Sequence, residues 1–330
     1  MEVHIPPKKK FMARFSRHEP IVMDHSAIIQ AKKCKRKYFY RIVLGFVEKV
    51  TPQYFGFGSC YHKFRETLER QWAATPEADR KNMDARMAMF EVALKDARDL
   101  WKRKKMRDLP EGTSKWDFLT EGRLLKSCAV AFKHWIREKD AGRINVLAVE
   151  QSFIVPLPDG GLVAGKADQI VMQNGRVWGR DFKTSSKTQD MYYARTLDPN
   201  DQFTRYTWAE SILAGLDTTK GQFIQGQIIE VLFNAKSTKK EEKGPEIHTH
   251  LATRAPSQIE RWIEEQMFYN KLLTLMREED CYPMEEASCS FCEYHSVCKA
   301  GSENAQMAKL ESEFRQEPWD CTNRADMDDQ

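Results

Sequence analysis

Apolar residues recur along this chain with two different periods, and the switch between them divides it. Met83, Met87, Phe90, Leu94, Ala97 and Trp101 fall at three- and four-residue steps, the spacing of one face of an α-helix. Leu125, Cys128, Phe132 and Trp135 repeat that spacing and predict a second amphipathic helix. Thr75-Pro76-Glu77 reads as a fresh helix start, because proline suits a first helical turn. Upstream, Gly56 and Gly58 break the chain before a helix that carries His62 and continues to Trp72. Earlier still, Asp24-His25-Ser26 opens a short helix with Asp24 or Ser26 as its cap. It leads into the basic-aromatic run Cys34-Lys35-Arg36-Lys37-Tyr38-Phe39-Tyr40-Arg41. Residues 1–24 read as an irregular arm and 59–140 as a helical segment.

The texture changes at Asn145. Val146–Val155, Leu162–Met172 and Val177–Phe182 are β-rich runs separated by Pro158-Asp159-Gly160-Gly161 and Asn174-Gly175. A helix is predicted from Asp201 to Leu213, a strand over Phe223–Phe233, another over Glu246–Ala252, and a helix over Ser257–Arg277. The Lys- and Glu-rich stretch Lys236–Lys243 reads as an exposed loop. A compact cysteine-rich end follows. This order predicts an α/β fold, a mixed central sheet flanked by helices.

Bulk properties exclude some classes. With 330 residues, 41% hydrophobic and 30% charged, the chain has the composition of an ordered globular protein. No apolar run is long enough to span a bilayer, and no apolar segment follows the basic N-terminus as a secretory signal requires. A cytoplasmic protein is the expectation. The net charge of +4 is modest, but its distribution is uneven. The first fifty residues are basic (Lys8, Lys9, Lys10, Lys32, Lys33, Lys35, Arg36, Lys37), and the last thirty are acidic and read as a loosely ordered tail. A basic end contacts phosphates or is simply solvated.

The sharpest local signal is Asn174-Gly175, the pair a type I′ turn favours because both central residues need positive φ. With a two-residue loop, paired positions sum to 349, so Gln173 faces Arg176, Val171 faces Trp178 and Asp168 faces Asp181. Two carboxylates then stand on one side of a sheet about 5 Å apart, and Lys183, two residues on, shares that side. Like charges so placed repel, and a divalent cation held by oxygen ligands would relieve them. A lysine beside such an ion orients water or stabilises charge on a phosphate. On these residues alone, two solvent-facing aspartates on an exposed hairpin is an equal reading.

Further residues align with a family. Gly165-Lys166-Ala167-Asp168 followed by Asp181-Phe182-Lys183-Thr184 resembles the "G-x-x-D … D-x-K-T" core of RecB-like PD-(D/E)XK nucleases. Gly58-Ser59-Cys60-Tyr61-His62-Lys63-Phe64-Arg65-Glu66 is similar to their "G-x-x-x-H-x-x-x-E" helix, and Gln202-Phe203-Thr204-Arg205-Tyr206 to their "Q-x-x-x-Y" helix. The resemblance implies a restriction-endonuclease-like core with a helical insertion. It implies that His62, Asp168 and Asp181 bind Mg²⁺ or Mn²⁺, that Lys183 is the catalytic lysine, and that Gln202 and Tyr206 line the site near DNA. Glu150, on the preceding strand, is a further acidic candidate whose facing the pattern leaves open. The expected divisions are a 1–24 arm, a 25–143 helical region, a 144–280 nuclease core, a 281–300 cysteine cluster and a 301–330 tail.

Cys289, Cys292 and Cys298 have the close spacing of ligands converging on one centre. The run from Cys34 resembles the "C-P-R-x-F-Y-Y" segment of the iron–sulfur-containing exonucleases of this family, CRISPR-associated and AddB-like, with Lys35 in place of proline. That resemblance implies Cys34 as fourth ligand and a [4Fe–4S] cluster; zinc is the alternative, and His295 a lesser ligand candidate. Cys60, Cys128, Cys281 and Cys321 have no counterparts, and Cys128 sits on an apolar stripe. The implied function is a metal-dependent DNA exonuclease on single strands or duplex ends, in recombination, repair or end processing, with a helicase or recombination protein as partner. The alternatives are a catalytically inactive DNA-binding scaffold on the same fold, or a zinc-stabilised interaction module.

Overall fold

The computed structural model describes residues 21–187, 191–237 and 243–319. Lys8–Lys10, the middle of the Lys236–Lys243 loop, Cys321 and the end of the acidic tail lie outside the described residues. In chain order the elements are β1 (Val22–Met23), α1 (His25–Lys33), α2 (Lys35–Tyr38), β2 (Phe46–Glu48), α3 (Gln53–Ala74), α4 (Met83–Arg103) and α5 (Glu121–Ala141). Then come β3 (Ile144–Pro156), β4 (Leu162–Gln173), β5 (Arg176–Ser185), α6 (Met191–Leu197), α7 (Asp201–Leu213), β6 (Gln227–Phe233) and β7 (Glu246–Ala252). The chain ends with α8 (Pro256–Glu278), α9 (His295–Cys298), α10 (Glu303–Glu313) and β8 (Phe314–Gln316). Among the described residues, no helix is long and apolar enough to cross a membrane.

Two compact units divide these elements. One takes in the described parts of Met1–Lys49, Ile154–Ala164 and Arg261–Cys321, the other Val50–Phe153 and Gly165–Glu260. In the first, β1 pairs in parallel with the opening residues of β4, so Val22 and Met23 are strand rather than irregular arm. Asp24 caps α1, its Oδ1 accepting from the Ala27 amide at 2.8 Å. The segment read as a loose acidic tail contains α10 and β8, and β8 pairs antiparallel with β2. Tyr294 explains the order there: its ring stacks on Phe314 at 4.8 Å and its hydroxyl donates to the Phe46 carbonyl.

In the second unit β3 pairs with β4, β4 is antiparallel to β5, β5 parallel to β6, and β6 antiparallel to β7. The sheet is mixed. Every recorded β4–β5 partner pair, from Gln173↔Arg176 to Gln169↔Arg180, sums to 349. Asn174 and Gly175 both have positive φ, 52° and 72°, as a type I′ turn requires. One apolar core packs Phe182 and Leu232 against α3, α4 and α5 through Phe57, Phe64, Leu100, Cys128 and Trp135. A smaller one joins Ile229, Val231 and Phe233 to Leu197 and Phe203 on α6 and α7. Helices therefore cover both faces.

Several local expectations shift. Gly56 and Gly58 lie inside α3 rather than before it. They admit close approach: a Cβ on Gly56 would run into the Met106 side chain, and one on Gly58 would come within 3.2 Å of Thr184 Oγ1. Thr75-Pro76-Glu77 starts only a single 3₁₀ turn, and α4 begins at Met83, where Asn82 Oδ1 accepts from the Asp84 amide at 2.8 Å. Met83 and Met87 are exposed, at 54% and 41%, because α4 buries the stripe through Arg86, Met89, Ala93, Ala97 and Leu100. β6 starts at Gln227 rather than Phe223, and α6 carries no apolar period that would have announced it.

Gly165 on β4 is a packing constraint. A Cβ there would meet Phe153 Cζ at 2.6 Å and Tyr206 Cε1 at 3.2 Å, two rigid rings packed edge to face. We expect Gly165→Ala to destabilise the chain by about 1–3 kcal/mol, the usual penalty of overpacking, read as a lowered thermal midpoint.

Candidate active site

Strand alternation and the I′ turn bring Asp168, Asp181 and Lys183 to one side of the hairpin. Asp168 Oδ2 accepts from the Phe182 amide at 2.8 Å. Lys183 Nζ donates to Asp181 Oδ1 at 3.0 Å and stands 2.8 Å from Oδ2. Across the next strand Asp181 pairs with Ile229 and Lys183 with Val231, both fully buried. The carboxylate thus sits over an apolar floor.

Helices complete the site. α3 carries His62, whose Nδ1 lies 3.3 Å from Asp168 Oδ2. α7, capped by Asn200, places Gln202 so that its Nε2 donates to Asp181 Oδ1 at 3.1 Å. Tyr206, one turn on, is buried with its ring edge-on to Phe153. It packs between α7 and β4, against Gly165.

Glu150 joins this group. The ligand atoms of His62, Glu150 and Asp168 lie within 4.8 Å of one another; Asp181 does not share that distance with all three. Glu150 has φ 53°, a left-handed conformation rare in a strand. Before it β3 half-buries Ile144, Val146 and Ala148; after it, Phe153 and Val155 are buried. The alternation changes phase at Glu150, which is why no register argument could fix its facing. Lys166 on β4 meets its carboxylate at 2.6 Å.

The electrostatics split these acids. Burial pushes Asp181 up to about 6, with Asp168 adding to the rise and Lys183 opposing it. Burial likewise raises Glu150 to about 7, helped by Asp168. Burial would also raise Asp168, but His62, Lys183 and the Phe182 amide outweigh it and hold the carboxyl below its ordinary value. Burial works against charge on His62, yet Asp168 raises its pKa overall.

The donor set fits a divalent cation. Two ligands on one such ion stand at most about 4.2 Å apart at roughly 2.1 Å each, so the His62–Glu150–Asp168 spacing needs only modest closure. Asp181 Oδ2 is buried and accepts no hydrogen bond of good geometry. A second group, His134, Glu138 and Glu230, has similar spacing but different company. Arg180 contacts Glu138 and Glu230 at 2.6 and 2.5 Å, and Arg65 holds Glu230 at 2.5 Å. Two guanidiniums already neutralise those carboxylates, so this is an internal ion network.

Glu210 was not anticipated. It continues the Gln202, Tyr206 stripe of α7 by one more turn, and four-residue steps share a helical face. Burial raises its carboxyl well above the ordinary range. Gln227 Nε2 donates to Glu210 Oε2 at 2.7 Å, while Gln227 Oε1 is buried without a partner. A protonated Glu210 supplies the missing donor, closing an acid–amide pair over Gly179.

The four predicted cysteine ligands all lie in the other unit, with no disulfide among the described cysteines. Cys292 and Cys298 are each influenced by Cys34, and Cys298 also by Cys289. The Glu285 amide donates to Cys34 Sγ at 3.4 Å. Among the described residues no three of these sulfurs lie within 4.8 Å of one another. His295 is exposed, Cys281 is exposed, and Cys60 and Cys128 are buried in the core.

A sequence profile of the PD-(D/E)XK nuclease superfamily matches residues 24–299. The chain belongs to the PD-(D/E)XK nuclease superfamily. Nucleases of this superfamily are hydrolases that use divalent metals, and the mixed sheet flanked by helices fits their restriction-endonuclease-like fold. No curated protein matches the chain. Among solved structures, SSO0001 is similar at 13% identity over 72% of this chain and 95% of its own, with a TM-score of 0.28.

The raised acids set a pH dependence. Asp181 and Glu150 hold protons more tightly folded than unfolded, so without metal their contribution is full at low pH. It is lost as pH rises through about 6 and about 7. The raised His62 acts in the same direction. In chelator we expect the melting temperature to fall between pH 5 and pH 8. Asp181→Asn should raise the pH 8 midpoint by about 3 °C or more. Added Mn²⁺ should stabilise the wild type more than this variant.

Proposed function

We propose that this chain is a Mg²⁺- or Mn²⁺-dependent deoxyribonuclease of the RecB-like type, acting as an exonuclease on single strands or duplex ends. The carrying observation is that His62, Glu150 and Asp168 converge beside the buried Asp181 and its partner Lys183. His62, Glu150 and Asp168 would hold the ion, with Asp181 contributing its unbonded oxygen. When bound, such an ion supplies Lewis-acid stabilisation of charge on a phosphate. Lys183 is the catalytic lysine, orienting water or countering charge as the phosphodiester is cleaved. Gln202 fixes Asp181 through its amide, and Tyr206 supports that helix from beneath. The setting in this reading is cytoplasmic recombination, repair or DNA end processing, with a helicase or recombination protein as partner.

In the same reading Cys34, Cys289, Cys292 and Cys298 hold a structural [4Fe–4S] cluster. Four thiolates suit a structural zinc ion equally, so zinc is the alternative occupant. The hydrogen bond from the Glu285 amide to Cys34 Sγ is of the kind that tunes cluster sulfurs. Protein purified without oxygen should be brown, with visible absorbance that bleaches on reduction. A colourless protein containing zinc would replace the cluster with zinc.

The decisive assay is cleavage of end-labelled DNA with Mg²⁺ or Mn²⁺. Asp181→Ala and Lys183→Ala should each lower cleavage by at least about a hundredfold while DNA binding persists. Unchanged cleavage in both variants would reject the assignment, and binding without cleavage in the wild type would favour a scaffold.

A further inference from the structure

The helix that carries His62 begins in an uncovered aromatic surface. At and before its first turn, Val50 is 78% exposed, Tyr54 49% and Phe55 61%. Phe55 precedes His62 by seven residues, two helical turns, so both share one face of α3 about 10.5 Å apart. Tyr54 lies 5.2 Å from the Trp116 ring, over which Lys115 places its ammonium at 5.0 Å.

Charge is gathered at the same place. Trp101-Lys102-Arg103-Lys104-Lys105-Met106-Arg107 contains five basic residues and no acid. The run is fixed against the start of α3: Met106 packs on Gly56, and Gln53 Nε2 donates to the Arg107 carbonyl at 3.2 Å. Lys102, Lys105 and Arg107 are exposed. A basic run by itself is commonly a solvated face. Here it is anchored one residue from an exposed aromatic on the helix that reaches the acidic site. Aromatic faces beside positive charge suit an unpaired strand, whose bases stack while its phosphates meet the cations. Duplex bases are stacked on one another and present no free face.

We infer that Phe55 and Tyr54, flanked by Lys102, Lys105, Arg107 and Lys115, form a binding track for single-stranded nucleic acid leading to the His62 site. The inference rests on the nuclease reading and names the face by which the strand enters.

The test is fluorescence anisotropy with the full chain in chelator, using labelled oligothymidylate, the same backbone with abasic positions, and a duplex of equal length. Phe55→Leu and the pair Lys105→Glu, Arg107→Glu should each weaken single-strand binding about tenfold. The charge variant should also flatten the salt dependence by about 0.7 for each phosphate it no longer neutralises. Phe55→Leu should not matter for the abasic strand. The pair Lys126→Glu, Lys133→Glu, exposed on α5, should bind as the wild type, and circular dichroism checks that every variant is folded. Wild-type affinity in both the Phe55 and the basic variants would overturn the track, as would displacement by polyglutamate as readily as by oligonucleotide. Active cleavage with that result removes only this surface; Phe55-dependent binding without wild-type cleavage removes only the nuclease reading.

Discussion

Two like-charged carboxyls are forced together by one turn, and much of the second unit answers that constraint. Asn174 and Gly175 take up positive φ, the register follows, and Asp168 and Asp181 share a side of the hairpin. Ile229, Val231 and Phe203 make the floor apolar, which limits how far water screens the pair. Every remaining polar contact divides the burden unequally. Asp168 receives His62 and a backbone amide, which favour its charged form. Asp181 receives Lys183 and Gln202 but lies deeper, and stays partly protonated near neutrality. The result is an acid pair whose members differ in proton affinity before any ion arrives.

The opposite side of β5 explains how so unfavourable a strand is held. Arg180 and Phe182 point away from Asp181 by strand alternation, and both are buried. Arg180 bridges Glu138 and Glu230, while Arg65 pairs with Glu230 and lies over the Phe182 ring at 4.2 Å. Arg65 is three residues beyond His62 on α3. The same buried ion network that pins β5 to β6 therefore also fixes the helix that delivers His62 to Asp168. Breaking such a buried pair by removing one partner typically costs about 3–5 kcal/mol, so this geometry is strongly determined from behind.

The hairpin and its register could be read from the chain because they rest on local rules: turn chemistry and a period of two. The spans expected for α7 and β7, Asp201–Leu213 and Glu246–Ala252, are those observed. What escaped depended on contacts distant in sequence. Gly56 looked like a breaker, yet it is a helical residue facing Met106, fifty positions away. Met83 and Met87 fitted an apolar stripe, but Arg86 took the inward place by pairing with Asp140. Glu150 was a candidate whose facing stayed open, and one left-handed residue shifts the phase of β3 there. The segment after residue 301 has an acidic composition that suggests solvent, yet α10 and the pairing of β8 with β2 give part of it structure.

Glu210 shows how the second unit limits negative charge. Asp168, Asp181 and Glu150 already crowd one region, and both aspartates raise the Glu210 carboxyl further. Ionised, Glu210 would be a fourth acid in an apolar layer, facing Gln227 rather than a cation. Neutral, it can donate to the Gln227 oxygen and accept from the nitrogen, satisfying two buried groups at once. Gly179 makes this possible, since any Cβ there would collide with both side chains. The neutral pair ties α7 to β6 one turn beyond Tyr206 and two beyond Gln202. Burial thus favours the uncharged form of the acid that anchors the helix carrying Gln202.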